Sequence, residues 1–235
     1  RPRCAGRRGA RELASLKQRA RLIRRPAREA VRGPARAHTA LAGHPSRPLT
    51  IRDTTDLQGE VIIASVTITL RFPVPEDADR VFDAVRESMT ELHPWAPWCP
   101  LTYSLVDATT WIAQQPAARE TGTAFEFLVV GDDGDLLGCC GVNQINKGFR
   151  LGNLGYWIRS SATRRGYATE AARQVAAWAF QNTDLQRLEL LVAVGNAPSQ
   201  AVALKTGALL EGCLRSRFLV HGQFQDAFVY SLIRP

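Results

Sequence analysis

The chain has 235 residues, 45% of them hydrophobic, and a formal charge of +8, so it is long enough for one domain with an apolar core. Its five cysteines lack the spacing of metal ligands, and no apolar run reaches the roughly 18 residues of a membrane span. Composition therefore argues against a metal site or a membrane protein, and we expect reduced thiols and a cytoplasmic location.

The positive charge is confined to an N-terminal arm. Residues 1–48 carry 13 Arg and one Lys against two Glu, a charge of +12, whereas the remainder carries 16 basic and 20 acidic residues, a charge of −4. The arm is rich in Arg, Ala and Pro, as disordered segments are. Three interpretations of the arm stay open: a nucleic-acid or ribosome-binding tail, an organelle transit peptide, or translated upstream sequence without function. We divide the chain into this arm, a linker at 49–65 and a domain at 66–235.

The spacing of apolar residues in the domain predicts alternating strands and helices. In chain order these are a strand at 66–70, a helix at 76–87, a helix from Ser104 to about Gln115, a hairpin of TAFEFLVV and LLGCCGVNQI around the turn GDDGD, a strand at 153–158, a helix opening near 167, a strand at 186–194, a helix at 198–206 and a C-terminal hairpin that turns at His221-Gly222. This order predicts an α/β (α+β) domain.

The segment SSATRRGYATEAARQ joins a predicted strand to a predicted helix through a basic loop. The entrance of such a helix presents free backbone N–H groups at the positive end of its dipole, and Gly166 permits close approach of a ligand. Arg164 and Arg165 add positive charge, so the loop suits an anion such as phosphate. An ordinary turn with two solvated arginines is the alternative. Neither a P-loop nor a dinucleotide fingerprint is present.

Residues 163–168, TRRGYA, resemble the acyl-CoA pyrophosphate loop [Q/R]-x-x-G-x-[G/A] of the GCN5-related N-acetyltransferase (GNAT) superfamily, with Thr at the first position. Asn196, Ser199 and Gly207 match the spacing of a later family segment. The stretches ELHPWAPW and HGQFQDAFVYSL resemble the RimJ/RimL-type branch, which acetylates the N-termini of ribosomal proteins. The resemblance covers roughly residues 66 to 235.

This resemblance implies the GNAT fold, a mixed and mostly antiparallel central sheet flanked by helices. Two parallel strands, 153–158 and 186–194, are implied to splay apart around the pantetheine arm of acetyl-CoA. The acetyl group would pass directly to an amine, without a metal. The residues implied to bind acetyl-CoA are Trp157, Ile158, Arg164, Arg165, Gly166, Tyr167, Ala168, Thr169, Asn196 and Ser199.

The sequence departs from the family at two acid–base positions. Many members have a Tyr where this chain has Ala203, and the branch often has a Glu where this chain has Asn153. Ser199 is the nearest hydroxyl for binding or protonating the departing sulfur, although Ser near a helix start is also a common cap. Glu126 and Asn143 are the candidates for the base or for binding the amine, and Glu126 could equally face solvent.

The lack of an evident strong base favours an acceptor that is easily deprotonated. At pH 7 an α-amine with a pKa near 8 is roughly a tenth neutral, while a lysine is neutral in roughly one molecule per few thousand. A protein N-terminus is therefore the leading acceptor, and Trp95, Trp98 and Asp226 are candidates for its cleft, with structural roles as their alternatives. Acetylation of a small amine such as an antibiotic or polyamine, a non-catalytic CoA-binding module, and nucleic-acid binding through the arm are the competing hypotheses. A monomer and a homodimer are both compatible with the sequence.

Overall fold

A seven-stranded sheet organises residues 66–235, which are the residues that the computed structural model describes. The arm at 1–48 and the linker at 49–65 lie outside the described residues, as do the three interpretations of the arm. Within the described part of the chain, no helix has both the length and the apolar composition that crossing a membrane requires.

The strands follow the order β1-β2-β3-β4-β5-β7-β6, and all neighbours are antiparallel except β4 and β5, which are parallel. The strands are β1 (Thr69–Arg71), β2 (Phe125–Val130), β3 (Leu136–Asn146), β4 (Leu151–Ile158), β5 (Arg187–Ala193), β6 (Leu209–Val220) and β7 (Gln223–Ile233). The helices are α1 (Ala78–Glu87), α2 (Met89–Leu92), α3 (Leu105–Glu120), α4 (Tyr167–Asn182) and α5 (Ala197–Lys205), with short 3-10 turns at Pro75–Asp77 and Ser160–Ala162.

Each face of the sheet packs against its own set of helices, because successive side chains of a strand point to opposite faces. Leu128 and Val130 of β2 lie in a buried cluster with residues of α1 and α3. Phe127 and Val129 lie in the larger cluster with residues of α4 and α5. We call these the α1/α3 face and the α4/α5 face. Cys140 belongs to the α4/α5 face, so the adjacent Cys139 points to the other face, as the sequence predicted.

The parallel pair β4–β5 opens into a gap. Residues Leu151–Asn153 pair with Arg187–Glu189, and there the pairing ends. β4 nevertheless continues to Ile158 by pairing with β3, and β5 continues to Ala193 by pairing with β7. The predicted splay of the two strands is therefore confirmed, and each strand leaves one edge of its C-terminal half without a neighbouring strand.

The predicted boundaries differ most from the structure at the first strand and at the helix after Ser104. The first strand is limited to Thr69–Arg71, the part that pairs with β2. The helix that begins after Ser104 in the predicted capping box with Asp107 passes through Pro116 and ends at Glu120. Pro116 lacks an N–H and interrupts the helical hydrogen-bond ladder, but the side chain of Gln115 donates to the carbonyl of Trp111 at 2.7 Å beside the interruption.

Candidate active site

A row of three polar side chains crosses the α1/α3 face beside the point where β4 and β5 separate. Asn153 Nδ2 on β4 donates to Asn143 Oδ1 on β3 at 3.0 Å, and Asn143 Nδ2 donates to Glu126 Oε1 on β2 at 2.8 Å. Asn143 and Asn153 are direct cross-strand partners. The strand register thus brings together the two predicted residues Glu126 and Asn143 and ties them to Asn153, which occupies the position where the branch often has a Glu.

The carboxylate of Glu126 fits in this row because a glycine lies beside it. A Cβ on Gly141 would lie 2.1 Å from Glu126 Oε2, so a larger residue would displace the carboxylate. Gly155 is the cross-strand partner of Gly141, and a Cβ there would lie 3.6 Å from Asn153 Nδ2. The two glycines form a notch on the sheet surface next to the row, and the Glu126 carboxylate lies in the part of it beside Gly141.

The environment of Glu126 makes it a better base than an ordinary glutamate. Burial raises the pKa of Glu126 from its usual 4.5, while hydrogen bonds from Asn143 and Cys139 oppose that rise. Cys139 Sγ lies 3.6 Å from Glu126 Oε2, and burial holds the pKa of the Cys139 thiol well above 9.0. Glu126 is partly buried and hydrogen-bonded to its neighbours on β3, so the alternative that its side chain faces solvent is wrong.

Ser199 lies on the opposite, α4/α5, face in the first turn of α5. Its hydroxyl is 3.0 Å from the hydroxyl of Tyr156 on β4, and the Tyr156 hydroxyl is also 3.0 Å from the Ser199 carbonyl oxygen. The cap of α5 is Asn196, whose Oδ1 accepts from the Ser199 backbone N–H at 3.1 Å. The interpretation of Ser199 as the helix cap is therefore wrong, and its hydroxyl is bonded to Tyr156 instead.

The predicted pyrophosphate loop lies at the open end of the gap, between β4 and α4. Arg164 and Gly166 both have positive φ, 64° and 91°, and Gly166 is the residue before the first turn of α4. The side chains of Arg164 and Arg165 are exposed, and the backbone of residues 167–169 forms the first turn of the helix. Amides of a first helical turn lack intrahelical partners, so the loop presents an array of donors beside two cations.

A cleft of about 310 Å³ lies between the loop after α2, the end of β5 and the C-terminal hairpin. It is lined by Pro94, Trp95, Val194, Gly195, Gln223, Phe224, Gln225 and Asp226. Two of the three predicted acceptor residues, Trp95 and Asp226, therefore share one cleft. Trp98 lies elsewhere, with its ring 6.0 Å from that of Trp157 and 46% of its surface exposed.

Asp226 also has a structural function in the hairpin. Its Oδ1 accepts from the backbone N–H of Ser216 at 2.8 Å, and Ser216 has a φ of 51° in the irregular part of β6. The tip of the same hairpin contacts the loop after α2: the His221 and His93 rings stack with centroids 3.9 Å apart, and His221 Nε2 lies 3.0 Å from the His93 carbonyl oxygen. The hairpin is therefore fastened across one end of the cleft.

Sequence reasoning missed four residues of this region. They are Tyr156, Gly141, Gly155 and Phe224, of which Phe224 lines the cleft with 67% of its surface exposed. The motif GYW contained a signal for two of them, since a glycine and a tyrosine in a strand beside the gap meet opposite faces.

Comparison with known proteins agrees with this architecture. Residues 67–209 match the acetyltransferase (GNAT) domain family. The Bacillus subtilis protein YdaF, classed by its name with the ribosomal N-acetyltransferases, is 30% identical over 172 residues, covering 71% of this chain and 91% of that protein. The ribosomal-protein-serine acetyltransferase of Escherichia coli K12 is 24% identical over 174 residues, covering 74% of this chain and 97% of that protein.

Solved structures agree as well. The structure of Mycobacterium smegmatis RimJ in complex with CoA-disulfide is 25% identical, with a TM-score of 0.65 and coverage of 71% of this chain and 81% of that chain. The predicted fold and the predicted RimJ/RimL-type resemblance are thereby confirmed. Because the family match spans more than half of its residues, the chain belongs to the GNAT acetyltransferase family and is an acetyl-CoA-dependent N-acetyltransferase.

Proposed function

We propose that this enzyme transfers the acetyl group of acetyl-CoA directly to the α-amine of a protein N-terminus. The observation that carries the proposal is the half-buried Glu126, held by Asn143 and Asn153 beside the glycine notch where β4 and β5 separate. A carboxylate is a weak base, and it suits an α-amine with a pKa near 8 better than a lysine with a pKa near 10.4. The name of the E. coli relative, a ribosomal-protein-serine acetyltransferase, supports the same acceptor class.

The donor would lie in the gap between β4 and β5. Backbone amides of residues 164–169 and the charges of Arg164 and Arg165 would hold its pyrophosphate at the start of α4. The pantetheine arm would extend along the edge of β4 that has no neighbouring strand. Arg159 N–H donates to Leu137 of β3, and backbone groups alternate along a strand, so Ile158 would offer its N–H and C=O to the arm whereas those of Trp157 face Cys139 on β3. A backbone N–H on that edge would polarise the thioester carbonyl as an oxyanion donor does.

The acceptor amine would approach from the α1/α3 face. Glu126 would take its proton, directly or through a water in the notch of Gly141 and Gly155, while Asn143 and Asn153 hold the carboxylate in place. The nitrogen lone pair then attacks the thioester carbon, and the C–S bond breaks with its electron pair going to sulfur. The second proton of the nitrogen, made acidic by the new C–N bond, is lost to water, and the departing thiolate takes up a proton from water to leave as the CoA thiol. Ser199 would donate a hydrogen bond to that sulfur from the opposite face.

The cleft containing Trp95 and Asp226 would take the residues that follow the acetylated N-terminus. Its walls combine the apolar side chains of Trp95 and Phe224 with one carboxylate, that of Asp226. Because the hairpin and the loop after α2 enclose it, a peptide end fits the cleft better than the middle of a folded chain. Trp98 is not required in this arrangement, since it lies outside the cleft.

The test is turnover of acetyl-CoA by the full chain, followed as release of free thiol. The acceptors are a peptide beginning with Ser, its N-blocked twin carrying a lysine, and a panel of small amines. We expect turnover on the free N-terminus and little on the other two. Turnover confined to small amines would replace the proposal with a small-molecule acetyltransferase, and turnover on the blocked lysine peptide would refute the α-amine preference.

We also propose that the enzyme acts in the cytoplasm. We further propose that its chain consists of the arm at 1–48, the linker at 49–65 and the domain at 66–235. Two relatives named for ribosomal substrates support this location. Fractionation of cells that express the full chain tests it, because recovery of the protein in an organelle would favour the transit-peptide interpretation of residues 1–48.

A further inference from the structure

The pair formed by Tyr156 and Ser199 connects the two sides of the gap. Tyr156 belongs to β4, whereas Ser199 belongs to α5, which follows β5. Asn153 is the last β4 residue that pairs with β5, so Tyr156 lies three positions beyond the point of separation. Their hydroxyls, 3.0 Å apart, therefore lie beside the space where the strands diverge, on the α4/α5 face.

The hydroxyl protons of the pair can be arranged in two ways. The Tyr156 hydroxyl has one proton and faces two oxygens of Ser199, the carbonyl and the hydroxyl, each at 3.0 Å. If the proton points to the carbonyl, Ser199 must donate its own proton to Tyr156, and nothing remains for a ligand. If the proton points to Ser199 Oγ, the Ser199 proton is free to point elsewhere. The carbonyl loses little in that case, because within a helix it accepts from the amide four residues later.

The surroundings keep Tyr156 a neutral donor and fix its ring. Burial raises the pKa of Tyr156 far above 10.0, although the hydrogen bond to Ser199 opposes that rise. The ring packs against the core cluster of the α4/α5 face. That cluster contains Ala203, which is fully buried one turn after Ser199 at the position where many family members have a Tyr. A phenol hydroxyl thus reaches this region from β4 instead of from the helix.

We propose that Tyr156 is a positioning residue that orients the Ser199 hydroxyl toward the sulfur of CoA. It donates to Ser199 Oγ when sulfur becomes anionic, so that the Ser199 proton is directed at the departing thiolate. The inference rests on the proposed function only for the position of the thioester in the gap. It assigns no proton transfer to Tyr156, which stays neutral through the reaction.

A double-mutant cycle tests whether Tyr156 acts through Ser199. We expect Tyr156→Phe to lower kcat about tenfold, the size of a lost hydrogen bond to a charged group, with the KM for acetyl-CoA changed less than twofold. Ser199→Ala should lower kcat at least as much, and adding Tyr156→Phe to it should change nothing further. Tyr103→Phe, which removes a buried phenol hydroxyl on the α1/α3 face, is the matched control and should keep the wild-type kcat.

A second measurement needs no acceptor and no activity. The pair should stabilise the thiolate of bound CoA, so that its thiol, followed by ultraviolet absorbance, titrates about one pH unit lower than in free CoA. Most of this shift should vanish in Tyr156→Phe and in Ser199→Ala.

Three results would overturn the inference: an unchanged kcat in Tyr156→Phe, an equal loss of kcat from this change in both backgrounds, or bound CoA that titrates like free CoA. The last result decides the matter on the wild-type protein even if Tyr156→Phe does not fold. Failure of wild-type enzyme on every N-terminal peptide would refute the proposed acceptor instead and leave this titration intact.

Discussion

Replacing Glu126 by Gln removes the proposed base while keeping the geometry of the polar row. A glutamine can present its Oε1 to the Asn143 amide, which donates to Glu126 at 2.8 Å. It has nearly the same volume as glutamate, so it fits the space left by Gly141. Because burial raises the pKa of Glu126, the folded state disfavours its charged form, and the neutral amide should not lower the melting temperature at pH 7.

The size of the expected loss follows from the acceptor. Without a base, the enzyme depends on amine that is already neutral, which for an α-amine is about a tenth at pH 7 and about nine-tenths at pH 9. We therefore expect kcat/KM of Glu126→Gln to be about tenfold below wild type at pH 7 and close to it at pH 9. The kcat/KM of the wild type should stay constant between pH 7 and pH 9 and fall only below the raised pKa of Glu126.

Stopped and continuous thiol-release assays on a Ser-starting peptide, from pH 6 to pH 9, measure both profiles. Glu120→Gln, at the exposed end of α3, is the control and should follow the wild type at every pH. Equal rates for Glu126→Gln and wild type at pH 7 would remove Glu126 from the mechanism. A deficit that persists unchanged to pH 9 would show that Glu126 does something other than accept the amine proton.

Three further changes address the donor loop, the acceptor cleft and acid stability. Gly166→Ala places a Cβ on a residue with a φ of 91°, 3.3 Å from a methyl of Val66, at a backbone cost of about 1–2 kcal/mol. The KM for acetyl-CoA should therefore rise severalfold, and an unchanged KM would contradict the loop assignment. Trp95→Ala should raise the KM for the peptide and leave that for acetyl-CoA unchanged, and the reverse pattern would place Trp95 at the donor. Glu211→Gln breaks the ion pair with Arg187, in which Arg187 Nη1 donates to Glu211 Oε1 at 2.8 Å. This pair lowers the pKa of Glu211 from 4.5 to about 2. Its contribution to the free energy of unfolding is therefore fully present above pH 4.5 and is lost as the pH falls toward 2. Melting temperatures of variant and wild type should therefore differ most at pH 7, and the difference should shrink below pH 4.5 and vanish near pH 2. A constant difference would contradict the ion pair as its cause.

Much of the fold was predictable because its signals are local. The turn at His221-Gly222, the capping box at Ser104 and the glycine before α4 each depend on a few neighbouring residues, and each is found where the sequence placed it. Pro116 misled the prediction because a proline usually ends a helix. Whether the helix continues depends on tertiary packing, and residues of α3 on both sides of the interruption are buried or hydrogen-bonded.

The site was predictable as a set of candidates and not as an arrangement. Glu126 and Asn143 are 17 positions apart in the chain, and their contact depends on the register of β2 against β3. The same limit concealed Tyr156. Comparison with the family directs attention to position 203 in α5, whereas the hydroxyl reaches Ser199 from β4, 43 positions away.

The alternation of β4 explains how one strand can serve both halves of a direct transfer. Asn153, Gly155 and Trp157 face α1 and α3, where the carboxylate row lies, while Tyr156 faces α4 and α5, where Ser199 lies. If the amine loses its proton on one face and the thiolate departs on the other, no single side chain has to act as both base and acid. In the proposed arrangement, a thioester at the edge between them would be attacked from one side and would release its thiolate on the other. The two buried thiols of β3 do not offer a covalent alternative, because burial raises the pKa of both well above 9.0 and keeps them protonated. The strand geometry therefore favours one-step delivery of the amine over an acylated enzyme.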